Sequence, residues 1–333
     1  MSTASYPQGW PGGSGIGTVV GMRGWWQDLT DLVLPAECGG CGRPRTVLCP
    51  ECRAALNGAA PSRVRPVPEP PGLPVVHAAA RYADEVRAAL LAHKERGALA
   101  LAAPLGTALA GAVRAGLREA PGHAAAGGEV PVLLVPVPSA RGAVRARGHD
   151  PARRIALVAA GELRRTGTAA RVLAVLRQRR AVADQSGLNS RQRLDNLAGA
   201  LAVAPGGDRL LRGGSVVLVD DLMTTGASLA EAARAVRTAT AAAEEETGAY
   251  ERRAQEAVAY RHFSELDSYA EATTAVYTAA AREGTEERMA GSAEEGTGRM
   301  HSVPGMAGAG GAGDVMCAAV VAAPPDSFEI NRN

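Results

Sequence analysis

Apolar residues along this chain follow two patterns: short unbroken runs, and longer stretches where they recur every three or four positions. The unbroken runs are Val130 to Val137, Val216 to Val219 and Val315 to Ala323, and Val75 to Arg81 reads as a further strand. Each is bounded by proline, glycine or charge. Runs without alternation suit strands buried on both faces, the condition of a parallel sheet. Arg171 to Leu176 and Leu197 to Val203 read as two further strands flanking a polar loop. Helical periodicity marks Tyr82 to Lys94, with Val86, Ala89, Leu90 and His93 near one face, then Leu99 to Leu117, Pro151 to Thr166, and Ala227 to about Ala242. Strands that alternate with helices predict βαβ units and an α/β fold with a central parallel sheet.

The remaining segments divide the chain. Residues 1–24 are Gly, Ser and Pro without periodicity and read as disordered. Residues 25–60 combine a short amphipathic helix, Trp25 to Leu34, with a compact Cys-rich knob. Residues 61–74 are a proline-rich connector. Residues 75–333 form the main domain. A low-complexity acidic insertion at about 244–313 interrupts it, between a helix and its returning strand, with some helix expected from Tyr250 to Ala281. A crossover of this kind ordinarily needs only a few linking residues.

Composition narrows the picture. Hydrophobic residues make up 46% of the chain, but aromatics only 3%, and alanine buries little area, so the core rests on Val and Leu. The net charge of +2 hides an asymmetry: Arg141 to Arg193 holds thirteen Arg against three acids, whereas acids dominate from Glu244 to Glu295. The basic half predicts an anionic partner. Lys94 is the one lysine. No run of eighteen apolar residues exists, so no membrane span is expected. The start lacks a basic region followed by an apolar one, so a cytoplasmic location is expected.

Candidate chemistry concentrates in Val216-Val-Leu-Val-Asp-Asp-Leu-Met-Thr-Thr-Gly-Ala-Ser228. A buried strand runs into Asp220 and Asp221, then into a small-residue turn that opens a helix. Ligands of open parallel sheets bind beyond the carboxyl ends of the strands. Two carboxylates there can accept hydrogen bonds from vicinal hydroxyls or support Mg²⁺. Thr224, Thr225, Gly226, Ala227 and Ser228 supply hydroxyls and the free N–H groups of a helix start, an anion site. A diol binder followed by a phosphate cradle matches a ribose 5-phosphate. The alternative is a βα turn whose Asp, Ser and Thr only cap the helix. This stretch resembles the phosphoribosyl pyrophosphate (PRPP) signature of type I phosphoribosyltransferases.

Upstream, Cys38-x₂-Cys41-x₇-Cys49-x₂-Cys52 has two CxxC knuckles at a spacing that suits tetrahedral Zn²⁺ in a structural site. Disulfides or free thiols are the alternatives. Cys317 stands apart in an apolar run and reads as a small hydrophobe.

A CxxC…CxxC knob ahead of a PRPP motif resembles the ComF family, phosphoribosyltransferase-like proteins tied to competence and DNA uptake. Val132 to Gly148 is similar to its strand, pyrophosphate loop and Arg-Gly element. Gln185-x-Gly-Leu-Asn-x₃-Arg193-x₂-Asn196 is similar to its mobile-loop block, and Leu-Leu-Ala-His-Lys94-x₂-Gly97 to its Leu-Lys-x-x-Gly element. The resemblance spans Trp25 to Val236 and resumes at Val315. Two features depart from it: Arg147-Gly-His149-Asp150-Pro151 stands where the family has Arg-Gly-Phe-Asn-Gln, and the acidic insertion is foreign.

The resemblance implies a type I phosphoribosyltransferase-like core with a zinc knob. It implies transfer of the ribosyl phosphate of PRPP, with Mg²⁺, to a nucleophile. Asp220 and Asp221 would hold the ribose and Mg²⁺, Thr224 to Ser228 the 5′-phosphate, and Arg141 and Arg147 the pyrophosphate. Lys94 would meet phosphate as a point charge. Read from the residues alone, Arg141, Arg145 and Arg147 follow a strand end and are equally solvated surface arginines. No general base is evident. Two other readings stand beside this one: a non-catalytic accessory that binds single-stranded DNA within an uptake machinery, and a nucleobase salvage enzyme. The salvage enzyme would need a hood that reads a base, and no segment resembles one.

Overall fold

The computed structural model describes residues 37–120, 130–180, 190–280 and 315–328. The expected helix at Trp25 to Leu34, the disordered start, Gln185 and the Gly/Ala tract near Gly305 lie outside the described residues. In chain order, helix α1 (Pro50–Asn57) closes the cysteine-rich stretch. Strands β1 (Ser62–Val64) and β2 (Val76–Arg81) follow, then α2 (Asp84–Glu95), a 3-10 turn (Leu99–Leu101) and α3 (Ala102–Glu119). Next come β3 (Val132–Pro136), α4 (Arg141–Arg147), α5 (Pro151–Arg165), β4 (Ala170–Val172) and β5 (Leu176–Gln178). The order ends with α6 (Ser190–Leu197), β6 (Leu201–Val203), α7 (Gly207–Leu211), β7 (Ser215–Leu222), α8 (Ala227–Ala280) and β8 (Val315–Ala323).

Six strands form one sheet in the order β1-β2-β8-β7-β3-β4, parallel throughout except for the antiparallel edge strand β1. Both faces are apolar. On one, Leu105, Leu109 and Val113 of α3 and Ile155, Ala159 and Leu163 of α5 pack on Leu134, Val217, Val219 and Ala319. On the other, Leu229, Ala233 and Val236 of α8 pack with Leu133, Val135, Val216, Leu218 and Val320. Successive strand residues thus feed two cores, which is why the runs do not alternate with polar residues. Truncating a fully buried Leu of either core costs about 2–5 kcal/mol.

From β3 the chain crosses through α5 to β4 on one side. From β7 it crosses through α8 to β8 on the other. Right-handed crossovers in opposite directions put α5 and α8 on opposite faces. The reversal leaves a crevice between the carboxyl ends of β3 and β7, the topological switch point of an open α/β sheet.

Four elements differ from the sequence reading. The single strand expected at Arg171 to Leu176 is two: β4 joins the main sheet, while β5 pairs with β6 in a separate two-stranded ribbon. The strand expected from Leu197 begins only at Leu201, because α6 occupies Ser190–Leu197. Strand β7 runs to Leu222, so both aspartates lie inside it. Helix α8 passes Ala242 without a break and continues to Ala280, carried by Ala and Glu, good helix formers. Among the described residues, one helical stretch, Leu99–Glu119, is long and apolar enough to cross a membrane by composition, but 67% of its apolar window is buried in the protein, as suits the core position of α3.

Candidate functional site

The crevice is lined by the segments after β2, β3 and β7. Strand alternation sends neighbouring side chains to opposite faces. Asp221 shares its parity with Val217 and Val219, on the α3/α5 side, and Asp220 shares that of Leu218, on the α8 side. Asp221 is buried, at 5% exposure, and its Oδ2 lies 3.3 Å from Lys94 Nζ at the end of α2. Asp220 keeps partial exposure, and its Oδ1 accepts a hydrogen bond from the Asp221 N–H at 2.8 Å.

The electrostatics follow from these neighbours. Loss of solvation first, and the Asp221 charge second, push the Asp220 carboxyl well above the usual carboxylate range, against the pull of Lys94. The Asp221 charge raises the Lys94 ammonium, with burial opposing. The one lysine is therefore the counter-ion of the acid pair.

Arg147 belongs to the same wall. Its Nη1 donates to Glu95 Oε1 at 3.3 Å and to the Lys94 carbonyl at 3.5 Å, and its Nε donates to the Ala143 carbonyl at 3.1 Å. It braces α4 against the end of α2 and is not presented to the crevice as a free guanidinium. Positions 143 and 147, one turn apart, share a face of α4. Positions 141, 144 and 145 form the opposite face. There Arg141 and Arg145 line a pocket of about 320 Å³ with Pro138, Ser139, Val144, Asp150, Leu176, Arg177 and Gln178, so one carboxylate accompanies the three arginines. The structure thus separates Arg141 from Arg147, which the sequence reading had paired, and brings Arg145 and Arg177 to Arg141 instead. Arg177 went unnoticed because it sits 36 residues beyond Arg141 on a strand whose register the apolar pattern did not resolve. A larger cavity, about 590 Å³, runs along α5 past Val158, Glu162 and Arg165, and none of the candidate residues lines it.

The turn after β7 is built as its sequence suggests. Gly226 has φ +74°, a left-handed conformation that disfavours any side chain, and a Cβ there would sit 3.0 Å from Leu73 Cδ2. Helix α8 starts at Ala227, so the N–H groups of its first turn lack intrahelical partners. Thr224 is exposed, and Thr225 and Ser228 are partly so. Arg193 of α6 reaches over the turn: its Nη1 is 3.5 Å from Thr224 Oγ1, and its Nε is buried without a hydrogen-bond partner.

The four cysteines form a second centre. Their sulfurs lie within 4.8 Å of one another, with Cys41 and Cys49 Sγ 3.6 Å apart. Zn–S bonds of about 2.3 Å in a tetrahedron put sulfurs roughly 3.8 Å apart, so the cluster has the dimensions and donor set for one structural metal ion, and zinc suits both. No disulfide forms among the described cysteines. Burial opposes ionisation of Cys38, but the N–H groups of Cys49, Cys41 and Gly40 outweigh it and hold the thiol at about 6, ready to ligate as thiolate. Cys38, Cys49 and Cys52 share a core with Leu48, Leu56, Leu90 and Leu101, which seats the knob on α2 and the turn before α3. Cys317 is buried in β8, and burial followed by the Glu119 charge pushes its thiol up to about 12.

No protein-family model matches the chain, and no curated protein matches it.

Proposed function

We propose that this chain is a ComF-like protein that binds PRPP with Mg²⁺ at the β3/β7 crevice and transfers its ribosyl phosphate. The observation that carries this reading is the coincidence of the motif with the switch point: the residues of Val216 to Ser228 that match a ribose 5-phosphate lie where an open α/β sheet receives its ligand. Asp220, partly exposed, takes the ribose hydroxyls and, with Asp221, the Mg²⁺. The Thr224 to Ser228 turn takes the 5′-phosphate. Arg141, with Arg145 and Arg177, is better placed than Arg147 to receive a pyrophosphate, since Arg147 is held by Glu95. Lys94, the counter-ion of Asp221, meets a phosphate of the ligand as a point charge. Such a site accelerates transfer by positioning and by stabilising charge on the departing pyrophosphate. Zn²⁺ at the four cysteines serves folding.

Isothermal calorimetry with PRPP and Mg²⁺ tests the site. Asp220→Asn with Asp221→Asn abolishes binding if the reading holds, and unchanged affinity refutes it. A pyrophosphate-release screen over candidate bases then tests turnover.

The clustering of Arg141, Arg145 and Arg177 around one pocket favours one second reading, a single-stranded DNA accessory that keeps the fold without turnover. It predicts affinity that falls steeply with salt; no binding of an oligonucleotide at low salt removes it. The 3% aromatic content weighs against a stacking platform.

A further inference from the structure

Among the described residues, strand β6 pairs with β5 on one side only. Ladder bonds run from the Arg179 N–H to the Ala200 carbonyl and from the Ala204 N–H to the Val175 carbonyl, both at 2.8 Å. In an antiparallel ladder the residue after Ala200 then turns its own N–H and carbonyl outward. That residue is Leu201, opposite Gln178. Helix α8 meets both outward groups. The Leu201 N–H donates to Glu231 Oε1 at 2.9 Å, and the Leu201 carbonyl accepts from Arg234 Nη2 at 2.9 Å. The two side chains also bind each other: Arg234 Nε donates to Glu231 Oε2 at 2.7 Å, and Nη2 to Oε1 at 2.8 Å. The pair stands in for a third strand at this point of the ribbon. Glu231 is 6% exposed. Burial pushes its carboxyl up, but hydrogen bonds from Arg234 and from the Leu201 N–H outweigh it and hold it below the usual carboxylate range. The clamp is therefore ionic, and hydrogen bonds of this kind are the strong ones.

Helix α6 ends four residues before Leu201, and the link turns at Gly199, φ +67°. Arg180 Nη2 ties this end to β5, donating to the carbonyls of Asn196 and Ala198 at 2.9 and 3.0 Å. Leu194, Leu197 and Ala200 pack on Ala227, the first residue of α8. Alanine offers little area, so the anchor at Leu201 matters to where α6 sits. Positions 227, 231 and 234 recur at i, i+4 and i+7, one face of α8. From this arrangement we propose that Glu231 and Arg234 are positioning residues: by gripping Leu201 they seat α6 on α8, and so hold Arg193 over the Thr224 to Ser228 turn, where its guanidinium meets the phosphate of a phosphorylated ligand. One helix then serves both sides of the anion, through the N–H groups of its first turn and through Arg193. The Arg193 Nη1 already lies 3.5 Å from Thr224 Oγ1, and its unpartnered Nε is a donor left over for an acceptor. The anion role of Arg193 rests on the phosphoribosyl reading; the seating of α6 does not.

Hydrogen exchange on the full, ligand-free chain reads the seating. Glu231→Gln keeps an acceptor for the Leu201 N–H but loses the charge that binds Arg234. Amides of residues 191–197 should exchange several-fold faster in this variant than in the parent, with β3 and β7 unchanged. Equal rates in α6 overturn the proposal. Calorimetry with PRPP and Mg²⁺ then reads Arg193. Arg193→Ala weakens binding about tenfold, the worth of one hydrogen bond to a charged group. Glu231→Gln weakens binding in the parent but adds nothing to Arg193→Ala, since it acts on the ligand only through α6. Additive losses, as a general loosening of the fold would give, overturn the positioning role. Arg234→Gln, at a side chain 44% exposed, carries both measurements should Glu231→Gln not fold. If PRPP binds to no form while exchange in α6 responds as expected, the phosphoribosyl reading fails and the seating stands.

Discussion

Asp220 destabilises the ligand-free protein. Its carboxyl holds a proton to higher pH in the native state than in the unfolded chain, where Asp titrates near ~3.9. The stability of the neutral form is fully present below that value and falls as pH rises through the native pKa. Asp220→Asn therefore raises the melting temperature at pH 7, and the gain vanishes near about pH 3.5. Thermal scans across this range check it; a variant less stable than its parent at pH 7 would contradict the cause assigned here. Lys94 runs in the opposite sense. Lys94→Met leaves Asp221 buried without its counter-ion and costs about 2 kcal/mol, below the value for a fully buried pair because Lys94 is 36% exposed. The stability from the raised Lys94 ammonium is present below the ordinary lysine pKa and is lost as pH rises through the native one. Denaturant melts of parent and variant should converge at strongly alkaline pH.

At the scale of elements, the turn after β7 and the cysteine knob make separate predictions. Gly226→Ala forces a side chain into a left-handed conformation and against Leu73, at a cost of about 1–2 kcal/mol. Chemical denaturation measures it, and a neutral effect would mean that the turn relaxes. Removing metal from the knob with a chelator, or replacing Cys38 with Ser, lowers the melting temperature of the whole α2–α3 side, because Leu48 and Leu56 share that core. Elemental analysis should find one zinc per chain, and a melting temperature indifferent to chelation would refute the structural role. These elements also mark how far sequence pattern carries. Buried strands and the motif turn were legible because composition and local geometry decide them. β5, β6 and α6 were not, since Arg171 to Val203 mixes charge with short apolar pairs that suit a strand or a helix turn equally well. The hold of Glu95 on Arg147 was likewise not legible, because a guanidinium looks the same in sequence whether a carboxylate partners it or not.

Across the whole molecule, the crossover from β7 to β8 needs a helix about as long as the strands. Eight strand residues span roughly 26 Å, and a helix from Ala227 to Ala243 spans about 25 Å. Over the first turns of α8 the burial changes at the same place: Ala243 is buried and Glu244, Glu245 and Glu246 are exposed. A chain with residues 244–313 replaced by a short Gly/Ser linker should keep its fold, with a melting temperature within a few degrees of the parent. A collapse in calorimetry would show that the extended helix is integral.

By itself the sequence determined which segments are strands of a doubly covered sheet, where four thiolates can gather, and which thirteen residues carry a ribose-phosphate pattern. All of these are written in short-range order: the period of burial, the spacing of ligands, the glycine in a turn. Only the tertiary structure decided that the connections leaving the paired strands β3 and β7 run to opposite sides, that Lys94 is spent on Asp221, and that α4 sets Arg141 beside Arg177 and Arg147 beside Glu95. Those facts depend on strand order and on approaches between residues 36 to 127 positions apart, where chain connectivity sets no distance and packing alone does.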